Sequence, residues 1–176
     1  ITSVDRDELP DGGSTIWAKT INVVKAVNPG IRIEVLTPDF KGSREALARV
    51  IEARPDVFAH NIETVRKLQR SVRPQADYQR SLNVLKLVKE MGAMVKTGIM
   101  VGLGETSEEV TEVMRDARAH GAEIFTIGQY LRPAKQHLPI DRYYAPAEYA
   151  EFVDYGRTIG LRHVEAGPLV RSSYHA

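Results

Sequence analysis

Met94-Val95-Lys96-Thr97-Gly98-Ile99-Met100-Val101-Gly102-Leu103-Gly104-Glu105-Thr106 passes from a buried, β-prone run into a glycine-rich turn and then into a helix start. Thr106 with Glu109 matches a capping box, and Val110, Val113 and Met114 line the helix that follows until Gly121 stops it. The glycine spacing is wrong for a dinucleotide fingerprint, and no Lys-Ser/Thr follows to make a P-loop. Two uses of the small residues stay open. A flat ring can lie against bare backbone with peptide groups bonding its edge. Equally, the turn can be a tight connection in which Glu105 serves the helix dipole.

The same strand–helix alternation repeats on both sides. Upstream, Ser14 can cap a helix carrying Ile16, Ala18, Ile21, Val24 and Val27 on one side. Asn28-Pro29-Gly30 marks a turn before the short β-rich run Ile31, Ile33, Val35 and Leu36, which Pro38 ends. Leu47, Val50 and Ile51 make a second helical stripe, ending near Pro55, and Val57-Phe58-Ala59 reads as a short buried strand. Residues 78–91 form an amphipathic helix through Leu82, Leu85, Val88 and Met91, closed by Gly92. Downstream, Ile124-Phe125-Thr126-Ile127 is a strand, 132–145 a loop rich in Pro and aromatic residues, Pro146 a first-turn residue, and 161–166 a last strand.

This alternation predicts a parallel sheet with right-handed crossovers and outer helices, an α/β fold. Closure can be a doubly wound open sheet or a barrel. Polar residues stand at most strand C-terminal ends (Asp39, Asn61, Glu63, Glu105 and Gln129), which favours the barrel, whose sites are built on that face. Five or six strands are too few for a closed eight-stranded barrel, so the expected fold is a partial TIM-like barrel in a single domain over 1–176.

Lys plus Arg number 24 and Asp plus Glu 23 among 176 residues, a net charge of +1 that gives no support for nucleic acid or a membrane surface as partner. Apolar residues at 43% and charged residues at 27% are ordinary for a globular domain. No apolar run approaches the roughly 18 residues that span a bilayer. Residues 1–11 carry no signal-peptide pattern, and both ends read as cuts. The chain has no Cys, so disulfides and thiolate metal sites within it are excluded.

Further motifs each have two readings. Asp11-Gly12-Gly13 precedes a helix N-terminus, where it can approach an anionic ligand or simply turn. His60-Asn61-Ile62-Glu63 stands just past a strand; it reads as a hydrogen-bonded polar cluster more readily than as a metal site, because no third ligand is local. His120 is explained by a helix C-terminus, and His137, His163 and His175 form no readable dyad. Read from its residues alone, Arg171-Ser172-Ser173-Tyr174-His175 is a polar tail.

Together these segments resemble the lipoyl synthase family. The resemblance rests on Thr2-Ser3-Val4-Asp5-Arg6-Asp7-Glu8-Leu9-Pro10-Asp11-Gly12-Gly13, His60-Asn61-Ile62-Glu63-Thr64, Val72-Arg73-Pro74 and Gly98 through Glu105. It continues in Thr126-Ile127-Gly128-Gln129-Tyr130-Leu131-Arg132-Pro133 and in Gly167-Pro168-Leu169-Val170-Arg171-Ser172-Ser173-Tyr174-His175-Ala176, so it covers essentially the whole chain. It implies a radical S-adenosylmethionine enzyme that inserts two sulfur atoms at C6 and C8 of a protein-bound octanoyl chain. One [4Fe-4S] cluster would cleave S-adenosyl-L-methionine, and a second would be consumed as the sulfur source. Implied partners are octanoylated lipoyl-carrier domains, the glycine-cleavage H protein and a reductant such as flavodoxin or ferredoxin. The resemblance also implies a monomer, cytoplasmic in a bacterium and mitochondrial or plastid in a eukaryote.

Position by position, the resemblance assigns Gly12 and Gly13 to the methionine amino group and Asn61 and Glu63 to the ribose and methionine. Gly98, Gly102 and Glu105 belong to the strand beside adenine, and Gln129 and Tyr130 to the next strand end. Ser173 becomes an oxygen ligand of the sulfur-donating cluster, beside Arg171, which replaces the polar-tail reading. An alkoxide-type ligand holds iron more weakly than thiolate, which suits a cluster that must be dismantled. The family's cluster cysteines and first barrel strand belong ahead of Ile1. The chain is therefore expected to be the C-terminal part of a longer enzyme, inactive alone and with a bare strand edge. Two other readings remain: a non-catalytic remnant binding a lipoyl-carrier domain or a nucleoside, and a metal-free barrel enzyme using Lys96.

Overall fold

Five parallel strands form one sheet whose spatial order equals their chain order: β1 (Glu34–Leu36), β2 (Val57–Ala59), β3 (Val95–Val101), β4 (Ile124–Gln129) and β5 (His163–Gly167). The structure, a computed structural model, describes residues 1–173. A doubly wound sheet needs a point where the strand order reverses. None occurs among the described residues, so every crossover advances in one direction, as in a barrel. The register is continuous, from Val35 opposite Phe58 through Lys96 opposite Ile124 to Thr126 opposite Glu165. Thr2 bridges to Leu36, and the Leu36 N–H donates to the Ile1 carbonyl at 2.9 Å, so residues 1–2 lie along the outer edge of β1 and the open edge of the sheet is theirs.

Strand alternation separates two faces. Val35, Phe58, Val95, Ile99, Val101, Phe125, Ile127 and Val164 enter the core under the helices. Leu36, Gly98, Met100, Thr126 and Gly128 face the other way and line a cleft. Burying each large side chain of the core face stabilises the fold by about 1.5–3 kcal/mol. The helices covering it are α1 (Ser14–Val27), α2 (Arg44–Glu52), the single-turn α3 (Gln69–Val72), α4 (Tyr78–Glu90), α5 (Ser107–Ala119) and α6 (Pro146–Thr158).

Most helix signals hold. Both halves of the Thr106–Glu109 capping box form, and Pro146 occupies the first turn of α6. The first helix differs. Its N-terminal amides are taken by Asp11, whose carboxylate accepts from Gly13 N–H and Thr15 N–H at 2.9 Å each. Ser14 is the first helical residue, and its hydroxyl accepts from Arg49 Nη1 at 2.6 Å. The buried stripe is Ser14, Trp17 and Ile21, whereas Ile16 and Val27 are exposed. Trp17, the largest apolar side chain of α1, sets which face turns inward, and that choice rotates Ile16 and Val27 outward.

On the cleft-bearing face, at the N-terminal end of the strands, Lys96 Nζ donates to both Glu34 oxygens at 2.8 and 3.0 Å. Only 4% and 14% of the two side chains remain exposed. A Lys tied to a carboxylate in this way is not free to act as a nucleophilic amine, which removes the support for a Lys96-dependent enzyme.

Candidate functional site

The cleft is a product of how β2 stops. After His60, whose N–H still donates to the Lys96 carbonyl at 3.1 Å, the chain leaves the ladder for two residues and rejoins it at Glu63, whose N–H donates to the Gly98 carbonyl at 3.0 Å and whose carbonyl accepts from Met100 N–H at 2.9 Å. To make this return Glu63 adopts φ +73°, the left-handed region that costs a non-glycine residue of order 1 kcal/mol or more. The bulge lifts Asn61 and Glu63 above the strand ends. Behind them His60 is buried and neutral: its Nδ1–H donates to the Thr37 carbonyl at 3.0 Å, and Nε2 accepts from the Ser81 hydroxyl at 3.1 Å. Burial pushes its pKa down, and the Thr37 bond only partly offsets this. His60 thus anchors the bulge, as the polar-cluster reading expected.

Between the bulge and β4 lies a cleft of about 320 Å³, within the range of small-molecule sites. Gly98, Thr126 and Gly128 form its floor, with Leu36, Asn61, Glu63, Met100, Leu131 and Ser172 around it. Asn61 Nδ2 donates to Glu63 Oε1 at 3.2 Å, and Arg73 Nη1 donates to the Asn61 carbonyl at 3.1 Å. Burial raises the Glu63 carboxyl above the usual range, against the opposing effects of Arg73 and Asn61. A half-desolvated carboxyl beside an amide, with acceptor capacity still available, suits the vicinal hydroxyls or amino group of a ligand. A second groove of about 690 Å³ shares Glu63 and Met100 with the first and runs past Val72, Leu103, Tyr130 and Leu138.

The expected site residues divide. Asn61, Glu63, Gly98 and Gln129 come together in the first cleft, and Tyr130 stands in the second groove with its hydroxyl donating to the Leu138 carbonyl at 3.0 Å. Gly12 and Gly13 line neither. They make the turn into α1 at φ +60° and +83°, where the Asp11 carboxylate already satisfies the helix amides. Those bonds from Thr15 and Gly13 hold the Asp11 carboxyl far below its ordinary pKa. Gly102 and Glu105 are internal to the turn: Glu105 Oε1 accepts from Gly102 N–H at 2.6 Å and Oε2 from Leu103 N–H at 3.0 Å. A Cβ on Gly98 would stand 2.1 Å from Thr126 Oγ1, and one on Gly102 would stand 2.1 Å from Gln129 Nε2. Both glycines are therefore demanded by neighbours within the protein, which supports the tight-connection reading of the turn.

Ser173 is exposed in the final turn, and its neighbour Ser172 is the serine that lines the cleft. The expectation for Tyr174, His175 and Ala176 lies outside the described residues. Thr126, Gly128 and Leu131 were not anticipated as cleft residues, and Met100 only as part of the run Gly98 to Glu105. The alternation within β3 and β4, reading 98, 100, 126 and 128 as one face, was the signal that could have found them. Among the described residues no group of three or more His, Cys, Asp or Glu is placed to hold a metal ion. The described residues by themselves therefore do not fit an iron–sulfur cluster, whereas the first cleft has the volume of a small-molecule site. No described helix is long and apolar enough to cross a membrane.

Comparison with known proteins identifies the family and the fold. The family model described as "Radical SAM superfamily" matches residues 1–117. A lipoyl synthase of Rubrobacter xylanophilus is 59% identical over the whole chain, which covers 56% of that protein. One of Flavobacterium johnsoniae is 53% identical, with 62% of its length covered, and a mitochondrial lipoyl synthase of Nematostella vectensis is 51% identical, with 61% covered. The chain thus spans roughly three-fifths of these relatives. Among solved structures, methylornithine synthase superposes with a TM-score of 0.65 at 15% identity, over 85% of this chain and 51% of that one. A domain of a pyruvate-formate lyase-activating enzyme from Bacteroides vulgatus superposes at 0.61 and 14% identity, over 95% and 98%. At such identities these two speak for the fold alone.

Proposed function

Since the chain belongs to the radical SAM superfamily, whose members in general use S-adenosyl-L-methionine with a [4Fe-4S] cluster, we propose that it is the adenosyl-binding part of a lipoyl synthase. The observation that carries this reading is the cleft at the strand C-terminal ends, floored by Gly98, Thr126 and Gly128 and rimmed by Asn61 and the strained Glu63. In this reading S-adenosyl-L-methionine lies on that floor, with Asn61 and Glu63 taking its ribose and methionine polar groups. Bound there, the cofactor supplies hydrogen-abstracting chemistry, while the residues of this chain bind it, orient it and exclude water.

The reaction is the insertion of sulfur at C6 and C8 of an octanoyl chain carried on a lipoyl-carrier domain or the glycine-cleavage H protein. Residues 1–176 act as one partial barrel domain, monomeric, served by a flavodoxin- or ferredoxin-like reductant. Localisation follows the host: cytoplasmic in a bacterium, mitochondrial or plastid in a eukaryote. Two clusters, with Ser173 as an oxygen ligand to the sulfur-donating one, complete the proposal. Their thiolates would come from outside these residues, since the chain has no Cys.

Titration of the 176-residue chain with S-adenosylhomocysteine, followed by calorimetry, tests the binding step. Saturable binding that weakens about tenfold or more in Glu63→Gln, as for a lost hydrogen bond to a charged group, supports it. Equal binding by wild type and variant, or none by either, refutes the assignment. Anaerobic assay of the complete gene product on an octanoylated carrier domain, read by mass, tests the sulfur insertion.

A further inference from the structure

Gln129 lines the cleft, yet its carboxamide has nothing left to offer a ligand. Nε2 donates to the carbonyls of Val101 at 3.1 Å, Tyr130 at 3.3 Å and Arg142 at 3.1 Å. Oε1 accepts from Tyr144 N–H at 3.1 Å and from the Tyr149 hydroxyl at 3.2 Å. An amide has two donor hydrogens and two acceptor lone pairs, and all are engaged, one hydrogen being shared between two of the three carbonyls. The side chain is buried, and the partners come from four separate places: the end of β3, the end of β4, the segment 142–144 and helix α6.

We propose that Gln129 is a positioning residue, a bracket that fixes the segment 131–142 as a wall of the cleft rather than touching the bound molecule. The surrounding geometry is built for that bracket. Gly102 has no side chain where Gln129 Nε2 and the Arg142 carbonyl pass, 2.1 and 2.6 Å from where its Cβ would be. Asp141 N–H donates to the Gly102 carbonyl at 2.8 Å, beside the bracket. Arg142, whose carbonyl is one of the three acceptors, pairs with Glu148 at 2.8 Å and stacks 3.5 Å above the Tyr144 ring. Between these fixed ends, 131–140 contributes Leu131 to the first cleft and Gln136, His137 and Leu138 to the second groove. Residues 131–139 are mostly exposed and have little core of their own, so their position depends on how the ends are held.

The test is hydrogen–deuterium exchange on the 176-residue chain carrying Gln129→Glu. The variant keeps the shape and the acceptors but turns a carboxylate toward three carbonyls. Exchange in 131–145 should rise by about tenfold or more while α2 and β2 keep wild-type rates, because local opening is coupled to the bracket and not to the distant core. Tyr149→Phe, which removes one bond to Oε1 from outside the cleft, is the milder variant and should raise exchange in the same segment by a smaller factor. Uniform acceleration across the chain in both variants, or unchanged rates in 131–145, would overturn the assignment. A second arm, which rests on the adenosyl-binding reading, measures S-adenosylhomocysteine affinity: Tyr149→Phe should weaken it although Tyr149 does not line the cleft. If wild type binds no nucleoside, the reading of the cleft fails while the exchange result still decides the role of Gln129.

Discussion

Adding one methyl group at Gly98 separates two reasons for a glycine on the cleft floor. If Gly98 exists only to let a ligand lie flat, Gly98→Ala leaves the free protein unharmed and weakens binding alone. The packing says otherwise. The new Cβ would stand 2.1 Å from Thr126 Oγ1, 2.9 Å from the Thr126 carbonyl oxygen and 3.3 Å from Thr126 Cβ. Contact distances for such atoms begin near 3.4 Å, so the two central strands must part or Thr126 must leave its rotamer. Overpacking of this kind costs about 1–3 kcal/mol. β3 and β4 pair over six consecutive positions, so little movement is available and the upper half of that range applies. Urea unfolding of the ligand-free chain gives the measurement. Thr126→Ala in the same chain removes the 2.1 Å clash and leaves the carbonyl at 2.9 Å and Cβ at 3.3 Å, so the double variant should recover more than half of the loss, with a coupling energy of about 1 kcal/mol or more. Gly98→Ala unfolding at the wild-type midpoint, or strict additivity of the two changes, would show that the floor is not packed as described.

Glu34→Gln should destabilise the chain by about 3–5 kcal/mol by leaving Lys96 buried without its counter-charge, and Glu34→Leu with Lys96→Met should restore most of it; a loss below about 1 kcal/mol in denaturant melts would contradict the buried pair. Glu63 adds a pH dependence of defined sign. Its folded carboxyl holds a proton more tightly than its unfolded one, so this contribution to stability is complete below the unfolded value near 4.5 and is lost as pH rises through the raised folded value. The stability of Glu63→Gln relative to wild type should therefore improve from pH 4 to pH 8, and a flat difference in urea midpoints would remove burial as the controlling effect.

What could be read from residues alone was what depends on near neighbours. Thr106 and Glu109 are three residues apart and cap one helix; Pro146 starts another; Val57-Phe58-Ala59 is apolar enough to be a strand in any setting. Strand–helix alternation with polar strand C-terminal ends gave the barrel reading, and the chain-order sheet follows it. The site was less accessible because its organisation is non-local. Apart from the adjacent Tyr130, the partners that explain Gln129 are 13 to 28 residues away, and Gly98 is explained by a threonine on the next strand. Nothing in His60-Asn61-Ile62-Glu63 announces that a glutamate takes a left-handed turn, since that conformation is imposed by the return to Gly98 and Met100. The face of α1 was misjudged for the same reason. Its period admits several stripes, and Trp17 chose one only when α2 was there to receive it.

The strand order described above also bears on how the chain comes off the ribosome. Each strand is hydrogen-bonded to the one before it, so no pairing has to wait for sequence that has not yet been translated. Each pairing still closes a sizeable loop, since Val35 meets Phe58 23 residues on and Ile124 meets His163 39 residues on, so the sheet gains its strands one crossover at a time and slowly. The turn that lays the Val170 carbonyl against Gly128 needs β4 beneath it, so that wall of the cleft cannot form before β4 has joined the sheet.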